Sequence, residues 1–466
     1  MKPKAKGLLH KSALLSARVE IFTGLIKFSM LTPYRPTFAQ HLVRLSYSLL
    51  TILLVPLTVL HFLLQYFRGK AGYDRKRLSR YGIVAGPIKK GGLLIHCASV
   101  GEVVAAHSLI KMVLDTHPKH PVTITTNTTT GAMRVKELLN DDVMHIYLPY
   151  DVGLFMQGLL GKLQPRMVLI NEMELWPNLI HACWTRHIPV YLINGRMSDK
   201  SKKTYSRFPK LFSPMFSKIT GICAQGQRDY ANYLAMNIPP EKLTLTNNIK
   251  FDMPLDDNDR LNGLRLADKL ALGNRAILLA GSTHAPEEQV LIEAFKKMAT
   301  DFPDLLLVIA PRHPQRFEKV ARVCEKSGLE FIKASENKPC QANTQILLLD
   351  QMGLLRSAYS LAKIAFVGGS IADRGGHNAL EPAVFGVPIL MGPHIYNNPA
   401  ICQALMDAGA LYTVNTAQHI VARCTLWLRD EELRLKDGLA GAKVLQQNGG
   451  AIEATLKVLS LSTHLP

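Results

Sequence analysis

From Gly92 onward the chain alternates short apolar runs with longer stretches whose apolar residues recur at helical spacing. In the first half the runs read as strands near Leu93 to His96, Val122 to Thr125, His145 to Leu148, Met167 to Asn171, Pro189 to Ile193, Ile219 to Ala224 and Leu243 to Asn247. Ala276 to Ala280, Leu305 to Ala310, Gln345 to Leu349, Ile364 to Val367 and Val387 to Leu390 follow in the second half. In Ile364 to Val367 nothing alternates apolar with polar, which is the pattern of a strand covered on both faces in a parallel sheet. Two sets of strand–helix units predict an α/β chain with two Rossmann-like, doubly wound parallel sheets. The charged, proline-bearing stretch 252–260 reads as the linker between a domain over 71–251 and a domain over 261–466.

Ahead of this alternation lies a different pattern. Leu45 to Phe67, LSYSLLTILLVPLTVLHFLLQYF, carries no Asp, Glu, Lys or Arg. Its length is about the 20 residues a helix needs to cross a hydrocarbon core, so 41–70 reads as a membrane anchor, with Pro56 as a kink, a deeply embedded hairpin or interfacial helix as the other membrane-bound form, and a buried core helix as the bland alternative. Met1 to Gln40 lacks the small-residue cleavage pattern of a signal peptide, and 1–40 reads as a basic extension before an uncleaved anchor. The formal net charge is +19, and the first eighty residues supply much of it, with only Glu20 and Asp74 in opposition. Because this basic stretch flanks an apolar span, it points to membrane lipids and not to nucleic acid. Arg68 to Arg80 after the span would lie on the cytoplasmic side. Seven scattered cysteines without a CxxC pair fit a reducing compartment, and no metal-ligand cluster or cofactor motif stands out.

The candidate chemistry sits where open α/β sheets place ligands, just past strand ends. The richest stretch is Phe366 to Pro393, FVGGSIADRGGHNALEPAVFGVPILMGP. A buried strand gives way to Gly368 and Gly369. Gly375 and Gly376 then precede His377 and Asn378, where a helix running to about Phe385 is expected to begin. Such a helix start, with free N–H groups behind paired glycines, is an anion site, and Glu381 one turn further in suits ribose hydroxyls. HCASVGE, His96 to Glu102, places Glu102 at the start of a helix over Val103 to Leu114. There it reads either as a helix-dipole carboxylate or as a base, and the second reading requires burial or a neighbouring carboxylate to raise its pKa. NEMELWPN, Asn171 to Asn178, places Glu172 and Glu174 after another strand. AGSTHAPEE, Ala280 to Glu288, offers Ser282 and Thr283 as donors to an anion, with Thr283 as an N-cap and Glu287 as its capping partner in the plainer reading. APRHP, Ala310 to Pro314, adds the planar fork of Arg312.

Taken together these motifs resemble the 3-deoxy-D-manno-octulosonic acid (Kdo) transferases of lipopolysaccharide synthesis. The resemblance runs from the apolar anchor through HCASVGE, NEMELWPN, NNIKFD at Asn247 to Asp252, GSTH, PRHP, DQMG at Asp350 to Gly353, FVGGS and RGGHNALEPAVFGVP. It implies a GT-B fold, two Rossmann-like domains facing a cleft behind a membrane anchor, in the inner membrane of a Gram-negative bacterium. It implies transfer of Kdo from CMP-Kdo to a lipid A precursor with inversion, without metal or cofactor. Glu102 would be the general base, and Glu172 and Lys250 would assist the transition state. Pro311 and Arg312, Met352, Gly353 and Leu354, and Asn378, Ala379, Leu380 and Glu381 match segments that hold CMP. At Leu354 the family usually has Glu, which puts a side-chain contact there in question. The competing readings are another membrane-associated GT-B nucleotide-sugar enzyme, such as an epimerase, and a non-catalytic lipid-binding membrane protein.

Overall fold

The computed structural model describes residues 34–461 apart from Ala71, Ala85, Gly86, Pro254 and Asp256, so the basic extension expected over 1–40 lies outside the described residues as far as residue 33. The first helix, α1 (Phe38–Phe67), starts seven residues before the charge-free stretch. The reason is local. The Thr37 hydroxyl accepts the Gln40 N–H while the Gln40 side chain accepts the Thr37 N–H, a capping box that satisfies two donors the helix cannot pair internally. Among the described residues α1 is the one helix long and apolar enough to cross a membrane. Leu42, Leu45, Leu49, Leu53, Leu57 and Phe67 are exposed on it.

Another stripe of α1 is polar or aromatic and is docked. Tyr47 Oη donates to Asp151 Oδ2 at 3.0 Å, and Ser48 Oγ to Asn178 Oδ1 at 2.7 Å. Nearer the C-terminus Phe62 is buried among the rings of Tyr66, Tyr73 and Tyr81. Asp151 also accepts the Asn178 and Leu179 N–H groups, and burial lifts its pKa to about 6. Of the basic residues after α1, Arg68, Lys70, Arg75 and Lys76 are exposed, whereas Arg77 and Arg80 are bound to the fold. Arg77 donates to Thr129 Oγ1, and Arg80 to Asn127 and the Leu148 carbonyl.

The chain divides into two compact units, one running to Ile249 and resuming at Gly450, the other spanning Lys250–Gly449. The first contains β1 (Leu93–His96), α2 (Val100–Thr116), β2 (Val122–Thr126), α3 (Thr129–Leu139), β3 (Met144–Tyr147), α4 (Gly153–Leu163) and β4 (Met167–Asn171). It continues with α5 (Pro177–Thr185), β5 (Val190–Gly195), α6 (Asp199–Arg207), α7 (Pro209–Lys218), β6 (Gly221–Ala224), α8 (Gln227–Ala235) and β7 (Leu243–Leu245). All neighbours pair in parallel, in the order β3-β2-β1-β4-β5-β6-β7. The winding reverses between β1 and β4, where His96 lies opposite Ile170.

The second unit contains α9 (Asp257–Lys269), β8 (Ala276–Thr283), α10 (Glu287–Met298), β9 (Leu305–Pro311), α11 (Phe317–Lys326), β10 (Phe331–Lys333), β11 (Ile346–Leu348) and α12 (Leu355–Tyr359). β12 (Ile364–Val367), α13 (Leu380–Ala383), β13 (Ile389–Met391), α14 (Pro399–Asp407), β14 (Leu411–Thr413), α15 (Ala417–Arg429) and α16 (Glu431–Asn448) complete it. Its parallel order is β10-β11-β9-β8-β12-β13-β14, with the reversal between β8 and β12.

Both sheets are covered on both faces, which is why central strands such as β4, β9 and β12 read as nearly continuous apolar runs. In β4, Val168 and Ile170 enter one core cluster while Met167 and Leu169 enter another. In β8, Leu278 and Ala280 face one way and Ile277 and Leu279 the other. Three expectations change. The stretch 252–260 is not all linker, because α9 begins inside it. The second domain does not run to residue 466, because α17 (Ala451–Leu461) returns to the first unit, with Ile452 and Leu459 in a core cluster beside Ile95, Ile110 and Leu169. The helix expected from His377 to about Phe385 is only the four residues of α13, since Ser370 to Asp373 run as a turn and Gly375 to Asn378 adopt no regular structure. β10 and β14 were not expected, and both are three-residue edge strands.

Candidate active site

At the end of β1 the chain turns through Cys97, Ala98 and Ser99 into α2. Ser99 holds the N-cap position without a side-chain cap bond, and Glu102 bends back in its place. Its carboxylate accepts the Ala98 N–H at 2.9 Å and the Ser99 hydroxyl at 3.1 Å. Glu102 is 9% exposed. Burial, chiefly, and then the charges of Glu172 and Glu174 push its pKa up to about 7, against the lowering pull of the Ala98 amide and the Ser99 hydroxyl. Glu174 is also raised, by burial first and then by Glu172.

Glu172 follows β4, on the other side of the reversal. Its φ is 56, in the left-handed region that disfavours a non-glycine residue by roughly 1 kcal/mol or more. The Glu172 N–H donates to the Ile193 carbonyl, and Asn171 Nδ2 donates to the Glu102 carbonyl, so the ends of β4, β5 and α2 are tied together. Glu102, Glu172, Met173, Glu174, Arg196, Ser198 and Ser201 line a cavity of ≈ 210 Å³. Arg196 and Ser198 follow the end of β5, and the Ser198 hydroxyl caps α6 by accepting the Ser201 N–H. Arg196, Ser198 and Ser201 were absent from the sequence reading. Their signal was the one that flagged Glu102 and Glu172, a position just past a buried strand.

In the second unit the glycine-rich loop is an anion cradle, but the chain fills it with its own carboxylate. Glu287 accepts N–H groups from His284 at 2.8 Å, Gly369 at 2.9 Å, Ser370 at 2.8 Å, Ile371 at 2.9 Å and Ala372 at 3.2 Å. Gly369 has φ 71, and a Cβ there would meet the His377 ring at 2.9 Å, so both the turn and the close approach require glycine. The Glu287 pKa is raised because burial outweighs the amides. The anion-ready helix start expected at His377 is therefore not present. Asn378 Oδ1 accepts the Leu380 N–H, and the single turn of α13 sums little macrodipole.

Imidazoles and guanidiniums gather at the same end of this sheet. His284 and His377 stack at 5.2 Å between centroids and 11° between planes, with their Nε2 atoms 2.9 Å apart, and His313 meets His284 edge-on. Burial, and then Arg312 and the neighbouring imidazoles, hold His377 down at about 3. Burial, and then His313, Arg316 and Arg374, hold His284 at about 4. Near neutral pH both rings are uncharged, so one Nε2 donates and the other accepts. Arg316 is tied to Glu288 by two bonds of 2.8 and 3.0 Å and also donates to the Thr283 carbonyl. The Arg312 guanidinium makes no hydrogen bond or ion pair among the described residues.

The C-terminal ends of four adjacent strands, β11, β9, β8 and β12, and the loops after them deliver the other expected residues apart from Lys250. Thr283 and Pro311 are paired in register. Thr283 ends a strand and is not an N-cap, and its buried hydroxyl has no partner among the described residues. Ser282 sits at φ 56. Met352 is exposed, Gly353 has φ 89, and Leu354 packs against the core beneath β8. Ala379 and Leu380 are buried and Glu381 is half-buried. Lys250 belongs to the second unit, where its Nζ donates to Asn398 Oδ1 at 3.2 Å.

Residues 75–253 match a family described as 3-deoxy-D-manno-octulosonic-acid transferase (kdotransferase), and residues 286–443 match the glycosyl transferases group 1. The chain is 38% identical over 393 residues to the 3-deoxy-D-manno-octulosonic acid transferase of Haemophilus influenzae, covering 83% of this chain and 91% of that one. It is 34% identical to the crystallised C-terminal CMP-Kdo binding domain of WaaA from Acinetobacter baumannii, covering 41% of this chain and 100% of that domain with a TM-score of 0.39. In fold alone it is similar to the UDP-GlcNAc 2-epimerase of Neisseria meningitidis, with a TM-score of 0.56 and 16% identity over 79% of this chain and 99% of that one.

Proposed function

The chain belongs to the Kdo transferase family and is a glycosyltransferase, and from that premise we propose that it moves Kdo from CMP-Kdo to a hydroxyl of a lipid A precursor, with Glu102 as general base. In this reading the acceptor oxygen bonds to the anomeric carbon of Kdo from the face opposite the phosphate. The bond from that carbon to the CMP phosphate breaks, the configuration inverts, and Glu102 takes the hydroxyl proton. A general base is most effective with a pKa near the working pH, and the raised value of Glu102 brings it toward that optimum. The observation that carries the reading is the placement of Glu102, buried beside Glu172 and Glu174 on a cavity at the sheet's reversal, with its pKa raised to about 7. Arg196, Ser198 and Ser201 across that cavity suit the hydroxyls and phosphates of an acidic sugar acceptor.

The second unit supports a donor role. CMP departs with added negative charge, which Arg312 and Lys250 would neutralise in this reading. The neutral imidazoles of His284 and His377 offer N–H donors without repelling the guanidinium. Leu354 is turned to the core, so a donor contact at Met352 to Leu354 would run through the backbone. For location, the apolar face of α1 and the exposed Arg68, Lys70, Arg75 and Lys76 favour attachment to the inner membrane with both units in the cytoplasm.

Glu102→Gln tests the assignment, because it keeps the shape and removes the basic oxygen. Loss of Kdo transfer with CMP binding intact supports it. A variant that still transfers at near the parent rate would show that another group takes the proton.

A further inference from the structure

Lys218, the last residue of α7, is 9% exposed, yet among the described residues it makes no hydrogen bond and no ion pair. Its Nζ lies 5.9 Å from the Tyr34 ring centroid and 5.4 Å from that of Trp184. Two further basic groups converge on it from other helices. Among the described residues, the buried Nε of Arg44 in α1 and the buried Nδ1 of His181 in α5 have no hydrogen-bond partner. Burial, and then the charge of Arg44, pulls Lys218 down to about 8. Burial, and then Lys218, Arg44 and His41, holds His181 at about 4. No acid of the described residues pairs with any of the three. His181 is uncharged near neutral pH, which leaves Lys218 and the half-buried Arg44 as two cations held together; folded chains seldom keep such a pair without a counter-charge, because each loses hydration and repels the other.

The position of this cluster indicates what neutralises it. Arg44 immediately precedes the charge-free stretch Leu45–Phe67, and Leu42, Leu45 and Leu49 beside it are exposed. Trp184 and Tyr34 meet edge-on at 6.4 Å, and His181 lies 5.6 Å from the Trp184 ring. Amphipathic rings next to exposed leucines and basic groups mark headgroup depth at a membrane interface. We propose that Arg44, Lys218 and His181, framed by Trp184 and Tyr34, bind the phosphate of an anionic membrane lipid. The inference rests on the reading of α1 as a membrane helix and not on the transferase chemistry.

The test uses the full chain, with vesicles of phosphatidylcholine alone or doped with phosphatidylglycerol, and the variants Lys218→Met and Arg44→Gln. Lys111→Gln with Lys119→Gln, both exposed in the same unit, serves as control. Each site variant should lose about fivefold of the preference for anionic vesicles while binding neutral vesicles as the parent does. In neutral detergent Lys218→Met should raise the Tm, because it removes an uncompensated buried charge, and phosphatidylglycerol should raise the Tm of the parent and not of the variant. The proposal is overturned if the site variants keep the full preference, if the control pair loses as much, or if Lys218→Met lowers the Tm in neutral detergent. Inorganic phosphate separates the sources: if it raises the parent Tm as far as the lipid does and abolishes the preference, the ligand is free phosphate. Failure of every form to bind neutral vesicles would overturn the membrane reading, and this proposal with it.

Discussion

Glu102 and Glu287 occupy matching places in the two units, each in the first turn of the helix that follows the strand at which its sheet reverses. Both are buried and both have raised pKa values, yet their surroundings give them different work. Glu287 accepts five backbone N–H groups and binds the loop after β12 to the start of α10. Glu102 accepts one N–H and one hydroxyl and opens on a cavity that it shares with two more carboxylates. A raised pKa alone therefore does not identify a base. A carboxylate whose acceptor sites are filled by the fold is structural, whereas one with spare capacity facing a cavity is available for proton transfer.

The comparison breaks most visibly in activity. Glu102→Gln should lower the rate of Kdo transfer by about 10²–10⁴-fold, the usual worth of a general base, whereas Glu287→Gln in any preparation that stays folded should not show that selective loss at constant CMP binding. Stability should invert the ranking. Glu287→Ala leaves buried amides without an acceptor and should destabilise the second unit by at least about 3 kcal/mol in denaturant unfolding. Glu102→Gln should instead stabilise at pH 8 by roughly 1–3 kcal/mol. The folded Glu102 pKa, about 7, lies above the ordinary value of 4.5, so the charged form is disfavoured in the fold. That penalty is absent below the unfolded pKa, grows as pH rises through the interval and is complete above the folded pKa. The stabilisation should therefore vanish at pH 4. The smallest effect is expected at Glu172. Glu172→Gly relieves a positive φ, for a gain of about 1 kcal/mol, and removes a charge near Glu102, so the pH–rate midpoint should move below 7 by less than one unit.

How far the sequence was legible follows from the same physics. Strands covered on both faces, such as Leu93 to His96 and Ile364 to Val367, were readable to the residue because all but the closing His96 are apolar. β10 and β14 were not, since each is a three-residue edge strand with partly exposed side chains. The start of α1 was hidden by His41 and Arg44, which interrupt the apolar run ahead of Leu45. Glu102 and Glu172 were marked by strand ends and by family resemblance. The role of Glu287 was out of reach, because four of its five partners lie 82 to 85 positions away. The same distance effect concealed the return of α17 and the three-helix cluster around Lys218.

The central claim is that Glu102 titrates near neutrality because of where the fold holds it. The most direct test is a difference infrared titration of the carboxylate stretch, parent minus Glu102→Gln, across pH 4 to 9. The account predicts a single carboxyl signal with a midpoint near 7, matched by the rise in Kdo transfer with pH. A midpoint near 4.5, with transfer already constant above pH 5.5, would contradict it and return Glu102 to the role of an ordinary helix-start carboxylate.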